Sequence, residues 1–495
     1  MKMSSFCTVL CGVSLLLFST IPSTQADQEF TFDGGKFADF SAVIARNKAR
    51  LNAARAVGEL SEESTGSEMD GACNEGSSND LYDCGNIDLV GRLTIFDLAV
   101  LSDLTGLSGE EADIVFFNDI WGYTNEEARR EYALLGASQG LIVIEVTHPS
   151  NPEIIGILPT RGYDIFANNI GEGNFWRDVK VFKDHAFVVS EQEDQGIQVL
   201  DLKALRHLDT SKGPVALEAV AIYDKFSSAH NIGINEDSGF AYAVGTNTCL
   251  GGIEMVDISD PTQPTDAGCF KDHGYVHDIQ CVIYHGPDER YQDREICFSS
   301  AGDPAVIGVD DGATSISITD VTDKPDVKSL AFFSYGTSNG LDYSHQGWLT
   351  PDQKYFLHDD ELDEFFETVD TTTTRIWDMS DLEAPVLLAE TTNGSSAIDH
   401  NLYTRGHYSI NSNYSSGLRI FDTSNVADGE LTEVGFFDVR PDDDDADFDG
   451  GTWSNFPYFQ FQSRNMIAVS SIERGFFLLQ PNFDLDGGVA VASDP

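Results

Sequence analysis

Positive charge is what this chain has least of: 29 lysines and arginines stand against 82 aspartates and glutamates, so the net is 29 − 82 = −53 over 495 residues. A surface of that sign repels phosphate, which disfavours nucleic acid and anionic membranes as partners and suits cations, basic proteins or a saline medium. Cysteine is scarce, and no two cysteines are spaced as CxxC, which argues against a thiolate metal cluster. A Walker-type phosphate loop and an HExxH string are both absent, no nucleophile elbow is expected, and no cysteine is left over for catalysis. Beyond residue 26 no run is long and apolar enough to span a bilayer.

What is present begins with an export signal. Lys2, an apolar run through Leu10 and Val13 to Phe18, and Thr24-Gln25-Ala26 read as a signal peptide over residues 1–26, cut after Ala26. The expected location is secreted, extracellular or periplasmic. Leu10 precedes Cys11 where lipid attachment needs a small residue, so lipoprotein processing is not expected. Removing Cys7 and Cys11 leaves six cysteines with 15 formal pairings, and local spacing favours Cys73 with Cys84, Cys249 with Cys269, and Cys281 with Cys297. The last pair would sit on adjacent antiparallel strands.

Residues 27–86 form an N-terminal appendage. Over 41–60 the apolar Ile44, Leu51, Ala54, Val57 and Leu60 recur at helical steps, with Arg46, Lys48, Arg50 and Arg55 on other faces. This short helix is one of the few basic places, and docking on an acidic face of the main domain is expected. Residues 61–85, rich in Ser, Glu, Gly and Asp, read as a linker clipped by Cys73 and Cys84.

From residue 87 to 480 the chain repeats itself. One phrase recurs as Asn118-Asp-Ile, Arg177-Asp-Val, His230-Asn-Ile, His277-Asp-Ile, His345-Gln-Gly, His400-Asn-Leu and Trp453-Ser-Asn. The starts are 47 to 68 residues apart, the period of four-stranded propeller blades carrying loop insertions. A β-rich phrase follows each, as in Gly140-Leu-Ile-Val-Ile-Glu145 and Gly417-Leu-Arg-Ile-Phe-Asp422. Leu89-Val-Gly-Arg-Leu93 matches the fourth strand of other blades, and none follows Gln480, so the N-terminal segment is expected to close the ring. The expected fold is all-β, a seven-bladed β-propeller with a short N-terminal helix and a tail over 481–495.

The second phrase resembles the LVIVD-repeat β-propellers, and the layout is similar to a choice-of-anchor B family protein. That resemblance spans roughly residues 87 to 480 and implies a propeller outside the cytoplasm. It implies no particular reaction, because the family has no established common one, and the anchor of its name is not visible in the tail.

Chemistry concentrates at the repeat's first position. In a propeller this residue begins the innermost strand, so His230, His277, His345 and His400 would face one mouth of the channel from four consecutive blades. Imidazoles gathered there could bind Cu or Zn, and equally could be hydrogen-bond struts between blades. Asn118 and Arg177 hold the same position in the first two blades and could orient an anionic ligand or substrate oxygen. Asp445-Ala-Asp447-Phe-Asp449-Gly450 matches the opening of calcium loops, although Phe456 at the twelfth position excludes an EF-hand. Two functions fit. One is a binding module for an unidentified protein or small-molecule ligand, expected as a monomer, with or without bound metal at these sites. The other is a metal-dependent propeller enzyme, an oxidase or hydrolase, with the histidines as ligands and no catalytic acid, base or nucleophile singled out.

Overall fold

The computed structural model describes residues 43–53, 71–74, 76–79, 81–105, 114, 116–161, 176–301, 314–335 and 342–486. The signal-peptide reading, the helix beyond residue 53 and most of the C-terminal tail lie outside them.

Seven sheets, each built on four antiparallel strands, start at the seven repeat phrases. Their innermost strands are Phe117–Asn125, Arg177–Phe182, Asn231–Asn235, Asp278–Ile283, Ser344–Leu349, Asn401–Arg405 and Thr452–Phe456, which we number blades 1 to 7. Each innermost strand packs against that of the next blade, and the seventh returns to the first. The fold is therefore a closed seven-bladed β-propeller.

The second phrase forms the third strand of each blade, and its composition follows from its place. Gly140–Glu145 is buried at every residue but the last, because neighbouring blades cover both faces. A strand in that position reads as a continuous apolar run. The acid that closes the phrase turns the chain: the carboxylates of Asp201, Asp257, Asp320, Asp378 and Asp422 each accept the N–H two residues on. Glycine opens it where the turn needs a left-handed residue. Gly417 has φ +81°, and a Cβ there would lie 2.3 Å from the Phe437 carbonyl oxygen.

The ring closes as expected. Ile87–Leu93 pairs antiparallel with Gly475–Pro481 as the fourth strand of blade 7. Six of the seven blades carry a bulge between third and fourth strands, at comparable registers such as Met255/Val256 and Ile376/Trp377. The stretch that reads as a linker contributes strands of its own: Ser77–Ser78 pairs with Tyr82–Gly85, which lies on the outer strand of blade 6. All three expected disulfides form, Cys73–Cys84, Cys249–Cys269 and Cys281–Cys297. Cys281 and Cys297 are register partners on the first two strands of blade 4.

Residues 43–53 are helical and bury Val43, Ile44, Asn47 and Leu51 on one face, in a cluster with Leu93, Phe116 and Phe476. On the other side Arg46 Nη1 donates to Asp449 at 3.0 Å, so the basic helix docks on an acidic loop. No described helix is long and apolar enough to cross a membrane.

Candidate metal centre

Because each innermost strand starts at the same height, the repeat position becomes a belt of rings around one channel mouth. Adjacent centroids are 4.2 Å apart for His230 and His277, 4.1 Å for His277 and His345, and 4.2 Å for His345 and His400. Trp453 continues the belt 4.3 Å from His400 and stacks on Trp176 at 4.7 Å.

Three of the histidines are tied to the next blade in the same way. His277 Nδ1 lies 2.8 Å from the His345 carbonyl oxygen, His345 Nδ1 3.1 Å from that of His400, and His400 Nδ1 2.6 Å from that of Trp453. A carbonyl oxygen can only accept, so each Nδ1 must carry the proton and donate it. In the neutral ring this leaves Nε2 as the lone-pair nitrogen. The strut and the ligand are thus two nitrogens of one ring. His230 departs from the pattern, with Nδ1 2.5 Å from Glu191 Oε1, while the neighbouring Asn231 donates to the His277 carbonyl.

At His345 and His400 the Nε2 atoms converge on one carboxylate. His345 Nε2 is 3.6 Å from Glu361 Oε2, and His400 Nε2 is 3.5 Å from Glu361 Oε1. All three residues are essentially inaccessible, and their ligand atoms lie within 4.8 Å of one another. The Tyr414 hydroxyl donates to Glu361 Oε1 at 2.6 Å, and its ring meets His400 edge-on. His277 and His230 lie further round the belt. Among the described residues they do not join this three-ligand group.

Glu361 comes from the turn after the second strand of blade 5, Tyr355–Asp360, where the repeat is interrupted by a run of acids. Just beyond it Asp363, Glu364 and Asp399 form a second trio with ligand atoms within 4.8 Å. Asp359 and Asp360 are buried beside them, and Arg375 donates to Asp363 at 2.7 Å. Burial above all pushes Asp359 up to about 8 and Asp360 up to about 7, and raises Asp363, Glu364 and Asp399.

Below the belt the shaft is charged. Lys180 Nζ is 2.7 Å from Asp178, and Asp119 accepts from the Trp453 indole at 3.1 Å. Burial lowers Lys180, but the carboxylates of Asp178, Asp278 and Asp119 outweigh it and the net shift is upward. Burial, with Asp178 next, pushes Asp119 up to about 7. The opposite mouth opens into a cavity of about 880 Å³ lined by the innermost strands and the residues just beyond them, including Trp121, Lys183, Trp348 and Tyr458.

The other expected site residues land elsewhere. Arg177 is buried and donates to the Ala137 carbonyl at 2.8 Å and the Thr160 hydroxyl at 2.7 Å, so it ties blade 2 to blade 1. Burial pushes its guanidinium down to about 10. Asn118 is fully buried one strand away, against Gly136. In the acidic loop before blade 7 the trio brought together is Asp443, Asp445 and Asp447. Asp449 instead receives Arg46 and Arg440, each at 3.0 Å, so two guanidiniums hold the third carboxylate of the expected calcium set.

Sequence reasoning marks 358–370 as an acidic insertion but cannot single out Glu361 or its neighbours, because carboxylates are common in this chain, and nothing in the sequence marks Tyr414. The signal was there in the segment 358–364, which joins a strand core yet is dense in acid. Two strings also carry the letters G-x-S-x-G. Ser138 of Gly136–Gly140 sits in a strand-to-strand hairpin, without the strand-to-helix turn that exposes a nucleophile. The second, Gly336–Gly340, lies outside the described residues.

No family model matches the chain, and no curated protein does either. Among solved structures it is similar to hydrazine synthase of Kuenenia stuttgartiensis, at 11% identity over 74% of this chain and 94% of that one, TM-score 0.49. It is similar to the Cps50 β-propeller domain of Myceliophteria thermophila at 10% identity over 74% and 96%, TM-score 0.44. A hypothetical selenium-binding protein from Sulfolobus tokodaii matches at 11% over 65% and 82%, TM-score 0.42. The propeller assignment rests on the strand pairing itself, and these likenesses say nothing about the chemistry at its mouth.

Proposed function

We propose that this protein is an exported propeller of the LVIVD-repeat kind that acts as a binding module, with a first-row transition metal held at the channel mouth by His345, His400 and Glu361. The observation that carries the reading is the spacing of that trio. Separations of 3.5 and 3.6 Å between Nε2 and the carboxylate oxygens are long for hydrogen bonds. They are close to the edge of a tetrahedron with ligand bonds of about 2.0–2.1 Å. Two neutral imidazoles and a carboxylate suit Zn or Cu. The Nδ1–H to carbonyl bonds supply the outer support that fixes tautomer and ring orientation in metal-binding histidines. An ion bound there would offer its open position to a donor small enough to reach a buried trio.

The enzyme reading has one observation in its favour, Tyr414, whose hydroxyl rests on Glu361 beside the two imidazoles and could pass a proton there. Elemental analysis of untagged protein tests the metal. About one equivalent of Zn or Cu, absent from His345→Ala/His400→Ala, is expected. A metal-free wild type that still does not take up Zn or Cu by dialysis would reduce the belt to struts. Turnover lost in Tyr414→Phe with metal retained would move the assignment to the enzyme.

A further inference from the structure

The buried acids of blade 5 have more oxygens than donors. Asp363, Glu364 and Asp399 are 0%, 3% and 0% exposed. Among the described residues Asp363 Oδ1, Asp399 Oδ1 and both oxygens of Glu364 lack any hydrogen-bond donor. The remaining oxygens are committed: Asp363 Oδ2 to Arg375 at 2.7 Å and Asp399 Oδ2 to the Thr373 N–H at 3.1 Å. Asp342, Asp359 and Asp360 add further carboxyl groups nearby, and the Arg375 guanidinium is the one cation among these side chains. His358 adds none, because burial lowers it well below its ordinary value.

Buried carboxylate oxygens facing one another with no donor are costly, and two things relieve them: shared protons or a bound cation. A proton shared between Glu364 and Asp363 relieves that one pair and leaves Asp399 Oδ1 without a donor. A hard cation satisfies all the oxygens at once. We infer that Asp363, Glu364 and Asp399 form a buried Ca²⁺ site, separate from the histidine trio and from the acidic loop before blade 7. The donors are all oxygen, which selects Ca²⁺ over Zn or Cu, and a spread of up to 4.8 Å is spanned by two Ca–O bonds of about 2.4 Å. Its role is mechanical. Asp363 and Glu364 follow Glu361 by two and three residues, and Asp399 directly precedes His400, so one ion would clamp together the two segments that aim Glu361 and His400.

The test uses full-length protein carrying Asp445→Ala and Asp447→Ala, which disables the acidic trio of the loop before blade 7 and leaves the Asp449 ion pairs intact. Chelation with EDTA should lower Tm by about 5 °C, and Ca²⁺ alone should restore it where Mg²⁺ at equal ionic strength does not. Equilibrium dialysis should find one Ca²⁺ per chain, lost when Glu364→Gln and Asp399→Asn are added. No Ca²⁺ equivalent, or one that survives those two substitutions, overturns the proposal. So does an amide variant as stable without Ca²⁺ as the parent, which would show that the cluster holds protons. Should the amide variant fail to fold, Tb³⁺ decides on the parent protein: emission sensitised through Tyr335, whose hydroxyl is 2.7 Å from Asp360, and displaced by Ca²⁺ supports the site. Its absence rejects it.

Discussion

The two mouths of the channel are made from opposite ends of the same seven strands, yet they differ in kind. Where the strands begin, the rings of His230, His277, His345, His400 and Trp453 form a belt, and two of its imidazoles meet a buried carboxylate. Where they end, the residues are unrelated from blade to blade and leave a broad cavity. Repetition explains the first mouth, because a side chain that braces one blade against the next can brace every blade. Repetition alone makes no site, however: the belt gains a centre only at blade 5, where an insertion departs from the repeat and brings in Glu361. The far mouth has no such common constraint, so its strand ends have diverged into the walls of a well.

The largest effect expected from breaking this contrast is on metal binding. Glu361→Gln keeps the shape and removes the charge, and should weaken Zn or Cu affinity at least about 100-fold, read by competition with a chromogenic chelator. Trp348→Ala at the far mouth should leave that affinity unchanged. A loss in both variants would mean the mouths are one coupled site.

Strut and ligand separate at His277. His277→Ala removes a bond to the His345 carbonyl and ring contacts with His230, Tyr343 and His345, and should cost about 1–3 kcal/mol in denaturant unfolding while metal content stays at wild-type level. Metal lost with His277 would enlarge the site beyond the trio.

The two ends should also titrate apart. Asp288, at the far end between the first two strands of blade 4, is held down to about 2, first by Arg290. Its contribution is present above the ordinary carboxylate range and is lost as pH falls through about 2. Asp288→Asn should therefore cost about 1.5–3 kcal/mol at pH 7, measured by urea unfolding, and almost nothing at pH 2. Asp438, at the histidine end after the fourth strand of blade 6, goes the other way: burial pushes it up to about 7. The folded protein keeps that proton when the unfolded chain has released it, so stability falls as pH rises from about 4 to about 7. Asp438→Asn should flatten this slope and stabilise by about 1 kcal/mol at pH 8. A flat wild-type profile over that window would count against the buried carboxyl.

How far the sequence reaches depends on whether a residue obeys the repeat. The seven strand starts, the closing strand at Leu89–Leu93 and the three disulfides are legible because each is set by local pattern or by strand neighbourhood. Helical spacing likewise places Ile44 and Leu51 on one buried face. Glu361 is not legible, since one acid among 82 carries no mark until folding places it between two imidazoles. Arg177 misleads for the opposite reason: it stands at a repeat position, but its length carries the guanidinium back to the Ala137 carbonyl and the Thr160 hydroxyl of the preceding blade. The Tyr82–Gly85 strand is hidden in a polar segment because its partner, the outer edge of blade 6, is more than 340 residues away.

That long reach has a kinetic side. The strand Ile87–Leu93 leaves the ribosome long before its partner Gly475–Pro481, so the ring cannot shut until all seven blades have been made. Contacts of such sequence separation form slowly, because the loop between them must be closed before any pairing is gained. Until then two unpaired edges face outward, and each is a template for the same strand of a neighbouring chain. The Cys73–Cys84 hairpin meets this hazard: it sits on blade 6 immediately before the closing strand, so once oxidised it delivers that strand to the seam and shortens the search to a few residues of chain.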